Sequence, residues 1–265
     1  MAGQLITLLT DFGTRDGYAA AMKGVVLQLC PRATIIDAGQ DVSRYDAAAG
    51  AWALAQYAFL YPPGTIHIAV VDPGVGTDRH ALIGLGGGQI FVAPDNGLLH
   101  WVRQNGPGFE ARVIRSGIHR PEGVSNTFHG RDLFAHVAGR LAGGDDRIED
   151  VSDPATEIVI PPWGQVRSEG DLLIGEVVHV DHYGNVITSF RAHHIKRAGW
   201  NGFVVCVGGS RIHSLLRTYG EAPPGQPIAL IGSHDHVELA IRQDSAAQRM
   251  GLKRGDSVSI EPADG

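Results

Sequence analysis

Two short stretches of this sequence place an acid, a guanidinium and an imidazole where they could act together. Val70-Val71-Asp72-Pro73-Gly74-Val75-Gly76-Thr77-Asp78-Arg79 follows an apolar run, Thr65-Ile66-His67-Ile68-Ala69, that reads as a buried strand. Downstream, Ser125-Asn126-Thr127-Phe128-His129-Gly130-Arg131-Asp132 supplies the imidazole. A carboxylate at a strand end, an arginine on the turn beyond it and glycines that leave the backbone bare can hold and orient a small polar molecule. The same Asp72 and Arg79 could instead form an ion pair that holds their loop, and His129 could be a structural histidine. Asp11, in Asp11-Phe12-Gly13-Thr14-Arg15-Asp16-Gly17, also has two readings: acceptor for a sugar diol, or cap of the following helix. Asp37, at another strand end, reads as structural, and Asp95-Asn96-Gly97 as a turn with positive φ at Asn or Gly.

Other clusters carry less. His179-Val180-Asp181-His182 and His234-Asp235-His236 invite a metal reading. On a strand, however, His179 and Asp181 share a face that His182 does not. Neither triplet has the spacing of a zinc motif, so no metal site is expected. Gly84-Leu85-Gly86-Gly87-Gly88 leads into no helix signal and fails as a phosphate loop. Cys30 and Cys206 form neither a CxxC pair nor a disulfide framework and read as buried thiols.

The elements that must position these groups alternate over the first half. Gln4–Thr10 reads as a buried strand, Gly17–Leu29 as a helix ended by Pro31, and Thr34–Asp37 as a short strand. An Ala-rich helix over Asp46–Tyr57 takes Asp46 as its cap. Ile66–Val71 is the next strand, and Ala81–Leu85 and Gln89–Ala93 form a hairpin across Gly86-Gly87-Gly88. A helix starts after Asp95-Asn96-Gly97, and another runs over Asp132–Ala142 to Gly143-Gly144. Such alternation argues an α/β domain over residues 1–150, a mainly parallel sheet flanked by helices. Functional groups then gather beyond the carboxyl ends of the strands, where Asp11 and Asp72 stand. Residues 151–170 read as a linker. Over 171–265, short strands at Leu172–Val180, Val186–Phe190, Gly202–Val207, Ile228–Ile231 and Ser257–Ile260 predict a smaller β-barrel-like domain, interrupted by a helix near Ser245–Met250.

Composition narrows the partners. The chain has 265 residues, 43% of them hydrophobic, 36 glycines and a net charge of −6, so nothing draws it to nucleic acid or an anionic membrane. Leu5-Ile6-Thr7-Leu8-Leu9 is too short for a signal core, and no stretch approaches the roughly 20 apolar residues of a membrane span. A cytoplasmic protein is expected.

Five motifs in order carry a resemblance: Leu9-Thr10-Asp11-Phe12-Gly13, Val70 to Thr77, Ala93-Pro94-Asp95-Asn96-Gly97-Leu98-Leu99, Thr127 to Asp132, and Asp181-His182-Tyr183-Gly184-Asn185. Through nearly its whole length the chain resembles the S-adenosylmethionine hydrolase (hydroxide adenosyltransferase) family, relatives of the fluorinating and chlorinating enzymes. The resemblance implies attack of water on C5′ of S-adenosylmethionine, giving adenosine and methionine, without a cofactor. It places a catalytic triad on Asp72, Arg79 and His129 and a ribose-binding acid on Asp11. It puts Asp181 against the methionine amino group, Tyr183 and Asn185 against adenine, and Ser233 near the methionine carboxylate. It also implies a homotrimer with each site shared between two subunits.

The retained triad and the absence of the fluorinating enzymes' extra loop favour water over halide. Halide transfer and non-catalytic binding of S-adenosylmethionine or adenosine are the alternatives. The chain departs from the family's pattern at Gly232-Ser233-His234, where an Asn-Ser pair is expected, at Ser189 and at Gln40. Pairing with Arg79 should keep Asp72 ionised and weakly basic. Neutral His129 is therefore expected to be the proton acceptor.

Overall fold

The computed structural model describes residues 3–200, 202–213 and 215–263. Two compact units divide the chain, Met1–Pro161 and Pro162–Gly265.

The first unit is a seven-stranded sheet between helices. Its strands are β1 (Leu5–Thr10), β2 (Thr34–Gly39), β3 (Ile66–Val70), β4 (Ala81–Gly86), β5 (Gln89–Pro94), β6 (Glu110–Ile114) and β7 (Ser152–Pro154), in the order β2-β1-β3-β5-β4-β6-β7. Pairing is parallel from β2 through β1 and β3 to β5. The β4–β5 hairpin then reverses direction, and β6 and β7 continue antiparallel. Residues 152–154, which the sequence suggests are linker, are thus held as an edge strand. The unit also holds helices α1 (Tyr18–Leu29), α2 (Ala47–Tyr57), α3 (His100–Asn105), α4 (Ala135–Gly143) and the single turn α5 (Ile148–Val151), with a short 3-10 turn at Ala58–Leu60 and a π-helical turn at Gly130–Phe134 that leads from His129 into α4.

Sequence spacing explains how these helices dock. On α1, Ala19, Met22, Val25 and Val26 make one buried stripe, and with Phe134, Val137 and Ala138 they cover Ile6, Leu8, Ile66 and Ile68 of the sheet. Trp52 of α2 meets Trp101 of α3 edge-on. Asp46 caps α2 by accepting the Ala49 N–H at 2.9 Å, as its position predicts.

The second unit is one nine-stranded sheet curled into a half-barrel. It contains β8 (Arg167–Glu169), β9 (Leu172–Val180), β10 (Val186–Arg191), β11 (Phe203–Val207), β12 (Ser210–Ile212), β13 (Leu215–Leu216), β14 (Pro227–Ile231), β15 (His236–Ile241) and β16 (Ser257–Pro262), with helices α6 (Ala192–Ala198) and α7 (Ala246–Met250). The turn of the sheet lies in β9: its first half, Leu173–Glu176, pairs with β16, and its second half, Val177–Val180, pairs with β10. Val177, Val186, Phe190, Val205, Leu239 and Ile260 fill the concave side. β15, the strand beside β10, is not among the strands expected from the sequence, although Val237, Leu239 and Ile241 alternate along it with period two.

Candidate active site

β1 and β3 are parallel neighbours with Thr10 opposite Val70, so Asp11 and Asp72 leave the sheet side by side at its carboxyl end. That is the place the α/β topology reserves for ligands. Asp11 does not cap α1, whose first position is taken by Gly17 at φ 75°. Its Oδ2 accepts the backbone N–H of Tyr45 at 2.8 Å and holds that residue at φ 65°. Asp11, Gly13, Asp16, Tyr45 and Asp72 border a cleft of about 870 Å³. Asp37 and Gln40 are structural. Asp37 pairs with Lys23 at 2.6 Å, and buried Gln40 accepts from Thr10 and donates to Leu8 O and Asp37.

The triad predicted from sequence comes together within this unit. Arg79 donates Nε to Asp72 Oδ1 at 2.9 Å and Nη2 to Asp72 Oδ2 at 2.5 Å, with both side chains largely out of solvent. Such a bidentate, charge-assisted pair fixes both groups. The second Nη2 hydrogen points to His129 Nδ1 at 2.9 Å. A guanidinium has no acceptor, so Nδ1 must accept, and the neutral ring carries its proton on Nε2. Burial, and then the charge of Arg79, hold the His129 pKa below the ordinary 6.5, with Asp72 and Asp132 opposing. The ring is therefore neutral near pH 7. Phe134 lies under the Arg79 guanidinium at 5.3 Å.

Neighbouring residues hold the two loops in place. Gly76 has φ 80°, and a Cβ there would stand 2.5 Å from Asn126 O; the Asp72 and His129 loops touch at a point only glycine fits. Asn96 donates Nδ2 to Val71 O at 2.8 Å and accepts the Leu98 N–H at 3.2 Å, bracing the backbone just before Asp72. Gly97 takes the positive φ expected of that turn. Asp95 is buried and accepts the Val159 N–H; burial pushes its carboxyl up. Asp132 gathers the chain ahead of His129. It accepts the Ser125 N–H at 2.9 Å and two bonds from Arg131, and Arg120 lies 3.6 Å away. Burial opposes its ionisation, but these partners hold its pKa below the ordinary carboxylate range.

The second unit carries the remaining predicted residues. Asp181 Oδ1 accepts the N–H groups of Tyr183 and Asn185 at 2.9 and 2.8 Å, and Oδ2 accepts Asn185 Nδ2 at 2.9 Å. This is an Asx-type turn, closed at Gly184 with φ 83°. Asp181, Tyr183 and Asn185 border a pocket of about 650 Å³ together with Tyr219, Arg242 and Gln243. Tyr183 is 78% exposed, whereas Asn185 is buried. Ser233 lies on the β14–β15 turn, its Oγ 3.1 Å from His234 Nδ1, and does not border that pocket. Tyr219 does, although no local motif marked it. Among the described residues, no three His, Cys, Asp or Glu side chains form a group able to hold a metal ion.

Residues 6–152 match the SAM hydroxide adenosyltransferase N-terminal domain, and residues 175–259 match the C-terminal domain of the same family. The chain is 37% identical to an (R)-S-adenosyl-L-methionine hydrolase of Salinispora tropica over 259 residues, covering 96% of this chain and 97% of that protein. The corresponding hydrolase of Thermus thermophilus is 35% identical, covering 96% and 98%. A fluorinase of Actinopolyspora mzabensis is more distant, at 28% identity, covering 97% and 96%. An uncharacterized conserved protein from Thermotoga maritima, known from its crystal structure, superposes with a TM-score of 0.84 at 32% identity, covering 96% of this chain and 99% of that one. One matched domain falls in each unit, and the chain belongs to the SAM hydroxide adenosyltransferase family.

Proposed function

We propose that this protein hydrolyses S-adenosyl-L-methionine to adenosine and L-methionine by in-line attack of hydroxide on C5′. The observation that carries this reading is the Asp72–Arg79–His129 constellation, with Arg79 donating to both of its neighbours. The new bond joins oxygen to C5′, and the breaking C5′–S pair of electrons returns to sulfur. A sulfonium leaves as neutral thioether, so departure requires no acid, metal or cofactor. The demand falls on the nucleophile, which must be stripped of bulk water and aimed. Holding reactants at near-attack distance is worth on the order of 7–11 kcal/mol in favourable cases.

Within this proposal His129 has a different task from the one its sequence position suggests. Its Nδ1 lone pair is occupied by Arg79, so the neutral ring offers Nε2–H as a donor rather than a free site for a proton. That donor and the adjacent guanidinium charge favour hydroxide over water. The proton lost in forming hydroxide passes to solvent before attack. Asp72, engaged through both oxygens, orients Arg79.

Asp11 would accept from the ribose hydroxyls. Asp181, Tyr183, Asn185 and Ser233 would hold the adenine and methionine ends. We further propose a homotrimer in which each substrate is shared by two copies, and a cytoplasmic location. Sedimentation equilibrium checks the assembly: about three times the 28.2 kDa chain mass is expected.

The function is tested by incubation with S-adenosylmethionine in ¹⁸O-water, with and without chloride. Adenosine labelled at its 5′ oxygen, with free methionine, is the expected result. A 5′-halogenated nucleoside would replace hydrolysis by halide transfer, and binding without product would make the protein a sensor.

A further inference from the structure

Tyr219 borders the second-unit pocket from a short surface turn and is 44% exposed. A tyrosine so placed would ordinarily sample several rotamers. Its hydroxyl, however, donates to Glu238 Oε1 at 2.6 Å. Glu238 lies on β15, opposite Ile187 of β10 and Leu230 of β14, and only 8% of it is exposed. Its neighbours along the strand, Val237 and Leu239, fill the concave core, so Glu238 faces the other way. A buried carboxylate is costly without a partner, and Tyr219 is a strong one.

Gly232 makes this arrangement possible. A Cβ at that position would stand 2.6 Å from Glu238 Oε2 and would displace the carboxylate. The family resemblance leads one to expect Asn there. Asp181 on the pocket wall is near enough for its charge to act on both Tyr219 and Glu238, so the pair belongs to the pocket's own surroundings.

We propose that Glu238 is a positioning residue that locks the Tyr219 ring as a preformed wall for the substrate's purine, and that Gly232 leaves the space its carboxylate requires. The inference rests on the hydrolase reading above. Preforming a wall removes an ordering cost on binding, so the effect belongs in KM rather than in kcat.

Steady-state hydrolysis of S-adenosylmethionine by the full chain tests it. Tyr219→Phe and Glu238→Ala should each raise KM about three- to ten-fold, the range of one lost hydrogen bond, with kcat within about twofold of wild type. The double variant should be no worse than either single one. Glu238→Gln, which keeps an acceptor oxygen, should recover most of the affinity lost in Glu238→Ala, and Gly232→Ala should raise KM in the same direction. Unchanged KM in Glu238→Ala, or an undiminished effect in the Tyr219→Phe background, would overturn the proposal. If Glu238→Ala does not fold, unchanged KM in Tyr219→Phe overturns it equally. A wild-type chain that leaves S-adenosylmethionine intact would overturn the hydrolase reading itself, an outcome distinct from all of these.

Discussion

Arg79 donates to a carboxylate and to an imidazole at once, and that double engagement determines how the site should respond to pH and substitution. Protonating His129 would place a second donor, Nδ1–H, against the guanidinium and break the contact. Activity should therefore fall as pH drops through the ring's pKa, and burial and Arg79 place that pKa below 6.5. A kcat profile whose acid limb has its midpoint below that value is the expected outcome. Removing the Nε2–H donor by His129→Ala should lower kcat by about 10²–10³-fold, the usual cost of losing one donor aimed at a reacting oxygen. KM should change little, because the ring is proposed to meet the nucleophile and not the nucleoside. Both quantities come from one steady-state series.

The loops that carry these residues are held by backbone-directed contacts, and this is where sequence reading reaches its limit. Asp72 and Arg79 were legible because a strand end, two glycines and a charge pair fall within one short stretch. The Asp46 cap was legible for the same reason, since cap and target lie three residues apart in one turn. The sequence marks Asn96 only as part of a turn. Its bond to Val71 O spans two strands, and no local pattern announces it. Tyr219 and Glu238 escape sequence reading for a related reason: one opens a three-residue 3-10 turn and the other lies on a different strand, 19 residues away. The bracing role can be measured. Asn96→Ala should destabilise the protein by about 1–3 kcal/mol by leaving a buried carbonyl unpaired. It should also lower kcat more than it raises KM. Gly76→Ala should do the same through a clash with Asn126 O and an unfavourable φ. Denaturant unfolding and steady-state kinetics of the two variants provide the check.

Across the whole molecule, buried neutral histidines contribute to the response to acid. His67 in the first unit and His236 in the second are almost completely buried, and burial lowers each pKa from 6.5 to about 4. Between those values the unfolded chain takes up protons at these two sites that the folded chain refuses, so their contribution to stability is full above 6.5 and falls as pH drops toward 4. Each histidine contributes a slope of up to about 1.4 kcal/mol per pH unit in that window. The drop in unfolding midpoint between pH 7.0 and 4.5 should be smaller in His67→Gln and His236→Gln than in the wild type, and an unchanged drop in both would contradict the buried neutral rings. The shared strand β9 has a different consequence. Because β16 pairs with its first half and β10 with its second, the backbone at Val177 is held from both sides, by Asp256 O at 2.8 Å and by its pairing with Thr188. In deuterated solvent, the hydrogen-bonded amides near Val177 should therefore be among the last of this unit to exchange, reporting its complete opening rather than the fraying of an edge.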